Sequence, residues 1–102
     1  MKNIGNILRE LRESKGLPLR VVAAFLDIDS AIMSRIERGQ RKASREQVVK
    51  LAEYFNVDKN ELLVAWLSHK VVSELAYEQN AMEALKVGED KIKYNISQKV
   101  CY

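Results

Sequence analysis

The segment Leu17–Gly39 contains two short amphipathic stretches separated by a tight polar turn. Each stretch places its apolar residues on one helical face, and these residues are Leu19, Val22, Ala23 and Leu26 before the turn and Met33 and Ile36 after it. Helices this short are not stable alone, so the pair must pack at a steep angle within a larger domain. That packing leaves the outer face of the second helix uncovered.

Capping and chain-breaking residues divide the chain into helices. Four residues have the types and positions that cap or end a helix: Asn3, Gly16, Asp29 and Gly39. Two pairs have the spacing of a capping box: Ser44 with Gln47 and Asp58 with Glu61. We therefore predict helices over about 4–15, 19–27 and 30–38, and two more that start after Ser44 and Asp58.

The helical pattern continues beyond Leu67 and predicts at least one further helix. Ser68 either caps a new helix or marks a bend. Gly88 is expected to end the last helix, which leaves residues 88–102 as a loosely held tail. Within that tail, four apolar residues have the spacing of a short amphipathic segment: Ile92, Tyr94, Ile96 and Val100.

Composition favours a single all-α domain with an added arm. The chain has 102 residues, of which 47% are hydrophobic and only one is proline. We predict a five-helix domain over residues 1–67 and a helical extension and tail over residues 68–102. The net charge of +3 is unevenly distributed, because residues 1–57 carry 11 Lys or Arg against 7 Asp or Glu, while residues 58–102 carry 6 against 7.

The sequence predicts a cytoplasmic protein. The single cysteine, Cys101, cannot form an internal disulfide, so nothing indicates an oxidising compartment. The N-terminal apolar residues are spaced as a helical stripe with charges between them, unlike a signal peptide. No apolar run approaches the roughly 20 residues that a membrane span needs.

Residues 4–65 resemble the Xre and lambda-repressor-like helix-turn-helix family of bacterial and phage regulators. The most specific part of the resemblance is the block Ser34-Arg35-Ile36-Glu37-Arg38-Gly39. The other matching residues are Ile4-Gly5, Leu11-Arg12, Lys15-Gly16-Leu17, Val22-Ala23, Leu51-Ala52, Phe55-Asn56-Val57 and Glu61-Leu62-Leu63. Three positions depart from the family pattern: Pro18 replaces a polar cap, Leu19 a phosphate-contacting glutamine, and Asp27 a turn glycine.

The resemblance implies that helix 30–38 enters the DNA major groove. The positions that would then read base edges are Ser30, Ala31, Ser34 and Arg35, and the guanidinium of Arg35 is suited to guanine. Phosphate contacts would come from Arg38, Arg41, Lys42 and Arg45, with Arg20 as a substitute for the missing glutamine. The resemblance also implies a structural ion pair between Glu37 and Arg12. Similar small proteins include controllers of restriction-modification genes.

An apolar stripe outside this resemblance has two interpretations. Its residues are Trp66, Leu67, Val71, Leu75, Met82 and Leu85. They either cover the five-helix core or pair with a second copy through residues 58–86, and both can hold for different parts. A homodimer suits DNA reading, because it places two reading helices about 34–36 Å apart on one face of a near-palindromic operator.

No group of residues in the sequence has the spacing of a catalytic or metal site. His69 is the only histidine, and no glycine-rich phosphate loop is present. We expect no enzymatic activity, no cofactor and no metal. The sequence predicts a homodimeric, sequence-specific DNA-binding regulator that represses or autoregulates transcription. One alternative is an antitoxin-like or other protein-interaction module whose C-terminal helices bind a partner protein. A second alternative is an accessory domain of an enzyme.

Overall fold

Six helices make up the part of the chain that the structure describes. The computed structural model describes residues 3–100, with side chains as far as residue 97. The helices are α1 (Ile4–Ser14), α2 (Leu19–Phe25), α3 (Ser30–Glu37), α4 (Arg45–Phe55), α5 (Lys59–Leu75) and α6 (Ala81–Val100). The predicted all-α fold with helices added after a five-helix domain is confirmed. Cys101, on which part of the compartment argument rests, lies outside the described residues.

Local side-chain caps set most of the helix starts where the sequence predicts them. Asn3 accepts a hydrogen bond from the backbone N–H of Asn6, and Asp29 accepts one from Ile32. Ser44 and Gln47 form the predicted capping box, with distances of 3.1 and 2.9 Å. These bonds satisfy amides that would otherwise be left unpaired at the first turn of each helix.

The second predicted capping box does not form. Helix α5 begins at Lys59, but the carboxylate of Asp58 accepts the backbone N–H of Asn60 at 2.9 Å rather than that of Glu61. Asp58 therefore satisfies an amide one residue earlier than the capping-box geometry requires. The predicted start of the helix is correct, whereas the predicted reciprocal bond is wrong.

The turn between α2 and α3 uses an aspartate where the family pattern has glycine. Asp27 has φ 57°, in the left-handed region that Asp tolerates better than most other residues. The turn is closed by backbone bonds from Asp27 to Ala24 and from Ile28 to Ala23. The departure from the family pattern at this position is thus compatible with the predicted turn.

The chain divides into two compact units, Met1–Lys70 and Val71–Tyr102. The described part of the first unit contains α1 to α4 and most of α5, and its core includes Leu8, Val22, Met33, Val48, Leu51 and Phe55, each no more than 1% exposed. The division falls within α5, which continues through Ser68 without ending; the hydroxyl of Ser68 donates to the carbonyl of Ala65.

The described part of the second unit contains the last turn of α5, a short connection and α6. The predicted end of the last helix at Gly88 is wrong, because α6 continues through this residue to Val100. A glycine in a helix costs about 1 kcal/mol relative to alanine, which good helix formers on both sides can offset. An ion pair between Glu89 and Lys93, at 2.8 Å, also supports the helix just beyond Gly88.

Apolar side chains of the second unit line an open groove of about 670 Å³. Its apolar lining comes from Val71 and Leu75 at the end of α5 and from Leu85 and Ile92 in α6. Leu85 and Ile92 remain 40% and 61% exposed. The groove is therefore a surface that the described part of this unit leaves uncovered.

Candidate nucleic-acid interface

Helix α3 lies close to α1 because of a glycine at their contact. A Cβ atom added to Gly5 would lie 2.6 Å from the backbone carbonyl oxygens of Ile36 and Glu37. No real Cβ contact is that short, so any side chain at this position would push α3 away from α1. In the sequence, Gly5 stands out only as part of the family match, and the structure gives it a specific packing role.

Each face of α3 has a different environment. Met33 and Ile36 are no more than 2% exposed and belong to the core. On the other side, the side chains of Ser30, Ala31 and Arg35 are exposed and that of Ser34 is half-buried. The four predicted base-reading residues are therefore not enclosed by the core, and a helix of this width fits a major groove.

A bidentate ion pair joins the end of α3 to α1. Arg12 donates from Nε and Nη2 to the two carboxylate oxygens of Glu37, at 2.7 and 3.1 Å. Its Nη1 donates to the carbonyl of Leu17 at 2.9 Å, which also ties down the connection to α2. The hydrogen bond to Glu37 raises the pKa of Arg12 above its ordinary value. Partial burial acts in the opposite direction but has a smaller effect. The pair thus fixes α3 on the domain.

Basic side chains surround the exposed end of α3. Arg38, Arg41, Lys42 and Arg45 are all exposed, and they follow one another from the end of α3 to the first residue of α4. Arg20 is exposed in the first turn of α2. A concentration of cations on and beside a groove-sized helix is the electrostatic pattern of a protein that binds nucleic-acid phosphates.

Trp66 holds the basic loop between α3 and α4 in place. Its side chain is 7% exposed, and its Nε1 donates a 2.8 Å hydrogen bond to the carbonyl of Ala43. Sequence reasoning placed Trp66 in a stripe with two interpretations and missed this contact. A buried indole N–H needs an acceptor, but the sequence does not show which acceptor it finds.

The rest of that stripe is mostly exposed. Leu67, Val71, Met82 and Leu85 are 51%, 40%, 69% and 40% exposed, and Leu75 is half-buried. Trp66 therefore covers the core, as one interpretation has it, while most of the other residues remain as exposed apolar surface.

Other types of site find little support in the described part of the chain. No three His, Cys, Asp or Glu residues among those described are placed to hold a metal ion. None of the described helices is both long enough and apolar enough to cross a membrane. The short exposed helix, its buried anchor and the adjacent cations instead define a DNA-binding helix-turn-helix protein.

Comparisons with known proteins support this class. The family described as "Helix-turn-helix domain" matches residues 3–65. The structure of the restriction-modification controller protein C.AhdI from Aeromonas hydrophila is similar, with 37% identity and a TM-score of 0.53; the match covers 58% of this chain and 89% of that one. No curated protein sequence matches the chain.

Two structures of the clp gene regulator ClgR from Corynebacterium glutamicum share the fold. One has 24% identity and a TM-score of 0.54, covering 65% of this chain and 86% of that one. The other has 19% identity and a TM-score of 0.56, covering 94% and 88%. The chain belongs to the helix-turn-helix family of Xre and lambda-repressor type, and it is a DNA-binding transcriptional regulator.

Proposed function

We propose that this regulator binds promoter DNA as a homodimer, recognises a near-palindromic operator, and represses or autoregulates transcription. The observation that carries the proposal is the exposed outer face of α3 on a helix whose opposite face is buried and ion-paired. The similarity to a restriction-modification controller supports a controller of that type. A regulator that acts by occupying promoter DNA needs no enzymatic step, so we propose no enzymatic role, and we propose a cytoplasmic location.

Base reading depends mainly on Arg35 in this proposal. Arg35 is exposed on α3, and a guanidinium can donate to both acceptors of a guanine at once. Ser30 and Ser34 would make less selective contacts, and Ala31 would contact a thymine methyl. A single bidentate contact contributes about 1–3 kcal/mol of discrimination against the wrong base, so Arg35 is the main determinant of sequence preference.

Phosphate contacts would orient α3 in the groove without reading sequence. Arg38, Arg41 and Lys42 follow α3 directly, and their exposure leaves them accessible to a backbone. Arg20 and Arg45 stand at the first turns of α2 and α4 and complete the proposed set. Because each contact releases condensed counterions, this part of the binding energy is sensitive to salt.

The test of DNA binding begins with operator sequences selected from random duplexes. Titrations at several salt concentrations then compare the wild type with Arg35→Ala, Arg41→Ala and the control Lys59→Ala. We expect Arg35→Ala to reduce the preference for the operator over random DNA by about 5- to 150-fold, which corresponds to the 1–3 kcal/mol of one base contact. Arg41→Ala should lower affinity on both DNAs and reduce the salt slope by about 1. Absent or salt-independent binding by the wild type would contradict the proposal.

Dimerisation is proposed through the groove of the second unit. Leu85 and Ile92 stand on one face of α6 and line the groove, which makes them the natural contacts for another helix. Charge also favours a second copy: residues 83–90 carry three acids and one lysine, while residues 91–97 carry two lysines and no acid. Two α6 helices paired in opposite directions would therefore bring unlike charges together.

Sedimentation of the full-length chain tests this proposal. We expect a dimer for the wild type, a monomer for Leu85→Glu, and a dimer for the control Val87→Glu, since Val87 is 53% exposed and does not line the groove. A wild type that stays monomeric to high concentration would contradict the homodimer. The exposed groove would then favour the antitoxin-like alternative, in which it binds another protein.

A further inference from the structure

A small cavity in the first unit lies beside the basic loop. It is lined by residues of α1, α3, the loop and α5, among them Arg41, Lys42, His69 and Lys70. Its volume of about 20 Å³ has room for a single water-sized group. His69 and Lys70 belong to α5, which the DNA contacts described above do not include.

One buried indole organises this cavity. Trp66 lines it and donates to the carbonyl of Ala43, which fixes the backbone next to Lys42. The ammonium Nζ of Lys70 lies 3.7 Å from the centroid of the Trp66 ring. The same side chain thus holds both the basic loop and a lysine of α5, so that cations from two distant parts of the sequence converge.

The charged side chains that line the cavity are all basic. Arg41, Lys42 and Lys70 are cations, and the lining, all of it within residues 3–70, contains no Asp or Glu. Apolar walls formed by Ile4, Ile36 and Trp66 reduce the dielectric screening near these groups. These groups favour an anion over a cation at this place.

We propose that this cavity receives one oxygen of a DNA backbone phosphate, so that Lys70 and His69 of α5 extend the phosphate-binding surface. The inference rests on the proposed function, because the phosphate is that of the bound duplex. The cavity has room for a single oxygen, so the rest of the phosphodiester would stay outside it. The duplex is the expected source of the phosphate, because the basic loop beside the cavity belongs to the proposed DNA-binding surface. Helix α5 thereby contacts the DNA directly as well as supporting the core.

The salt dependence of DNA binding tests the role of Lys70. We expect Lys70→Gln to reduce the salt slope by about 1, equally on operator and random duplexes, and Lys70→Arg to preserve it. Lys59→Gln is the matched control, because it makes the same charge change about 16 Å away along α5. Equal slopes for Lys70→Gln and Lys59→Gln would overturn the inference.

A second measurement uses the unmodified chain. Backbone amide resonances of residues 69 and 70 should shift when a duplex is added, and inorganic phosphate at the same concentration should not displace the duplex. Saturation by inorganic phosphate that releases the duplex would overturn the assignment to a backbone phosphate. If the wild type binds no DNA, the proposed function fails by itself. If the wild type binds DNA and the resonances of residues 69 and 70 do not change, the inference about the cavity is overturned while the proposed function stands.

Discussion

The two compact units differ in how far their apolar side chains are buried. In the described part of Met1–Lys70 the apolar stripes of five helices meet in one core, and of the large hydrophobic side chains described there only Phe25, Val64 and Leu67 are exposed. In the described part of Val71–Tyr102, large apolar side chains such as Met82, Val87 and Ile96 are more than half exposed. The first unit has the buried core of an independent domain, whereas the second has the exposed apolar surface typical of a protein-protein interface.

This difference has a physical basis in the number of helices that each unit brings together. A single long helix and one turn of another cannot enclose their own apolar faces, whereas five short helices can. The first unit therefore derives its stability from its own sequence. In the proposed dimer, the second unit would derive part of its stability from the copy that fills its groove.

The largest expected effect comes from the ion pair that fixes α3. Arg12→Met removes the partner of Glu37, whose side chain is 5% exposed, and leaves a buried carboxylate without its cation. We expect a loss of about 3–5 kcal/mol in the free energy of unfolding, measured by urea denaturation. The control Arg9→Met breaks an exposed pair with Glu13 and should cost much less. Equal losses would show that the first unit does not depend on this anchor.

Leucine-to-alanine substitutions, one in each unit, compare how much the two units depend on apolar burial. Leu51 is fully buried, so Leu51→Ala should cost about 2–5 kcal/mol at every protein concentration. Leu85 is 40% exposed, so Leu85→Ala should cost far less in dilute solution, with a penalty that grows as the protein is concentrated. Thermal denaturation over a range of concentrations checks this. A concentration-independent cost at Leu85 would contradict the proposed dimer.

The features that the sequence predicted well are those set by local chemistry. The caps at Asn3, Asp29 and Ser44 depend on a side chain and an amide three residues apart, so the pattern is visible in the sequence. The end of α6 was mispredicted because Gly88 disfavours a helix only weakly, and its effect competes with those of many neighbours. The presence of one glycine therefore does not determine where the helix ends.

The candidate site was less predictable from local sequence patterns than the helix caps. The residues of α3 and the basic loop came from the resemblance to a family, which supplies positions that periodicity alone cannot assign. The contact between Trp66 and Ala43 joins residues 23 apart in sequence, so no local pattern signals it. The approach of α1 to the carbonyls of Ile36 and Glu37 also requires the packed domain, although Gly5 itself was part of the match.

Replacing a glycine by alanine should change the free energy of unfolding in opposite directions in the two units. Gly5→Ala would place a Cβ against two backbone oxygens, and we expect a loss of about 1–3 kcal/mol from the resulting shift of α3. A Cβ at Gly88 meets no atom within 4 Å, and Gly88→Ala should gain about 0.5–1 kcal/mol through higher helix propensity. Denaturation of dilute protein measures both. A stabilising Gly5→Ala would contradict the close contact of α1 with α3.

The smallest expected effect concerns an exposed charge on α1 and its dependence on pH. The hydrogen bond from Arg9, with its charge, lowers the pKa of Glu13 below the ordinary value of 4.5. A lowered carboxyl pKa stabilises the fold above the unfolded value and loses that contribution as the pH falls through the folded value. Glu13→Gln should therefore lower Tm slightly at pH 7, and the difference from wild type should disappear in acid. The control Glu53→Gln, on an exposed position of α4, makes the same charge change without this ion pair. A Tm difference for Glu13→Gln that stayed constant from neutral to acid pH would show that the pair contributes no stability, and that the first unit is held by its core and buried anchor alone.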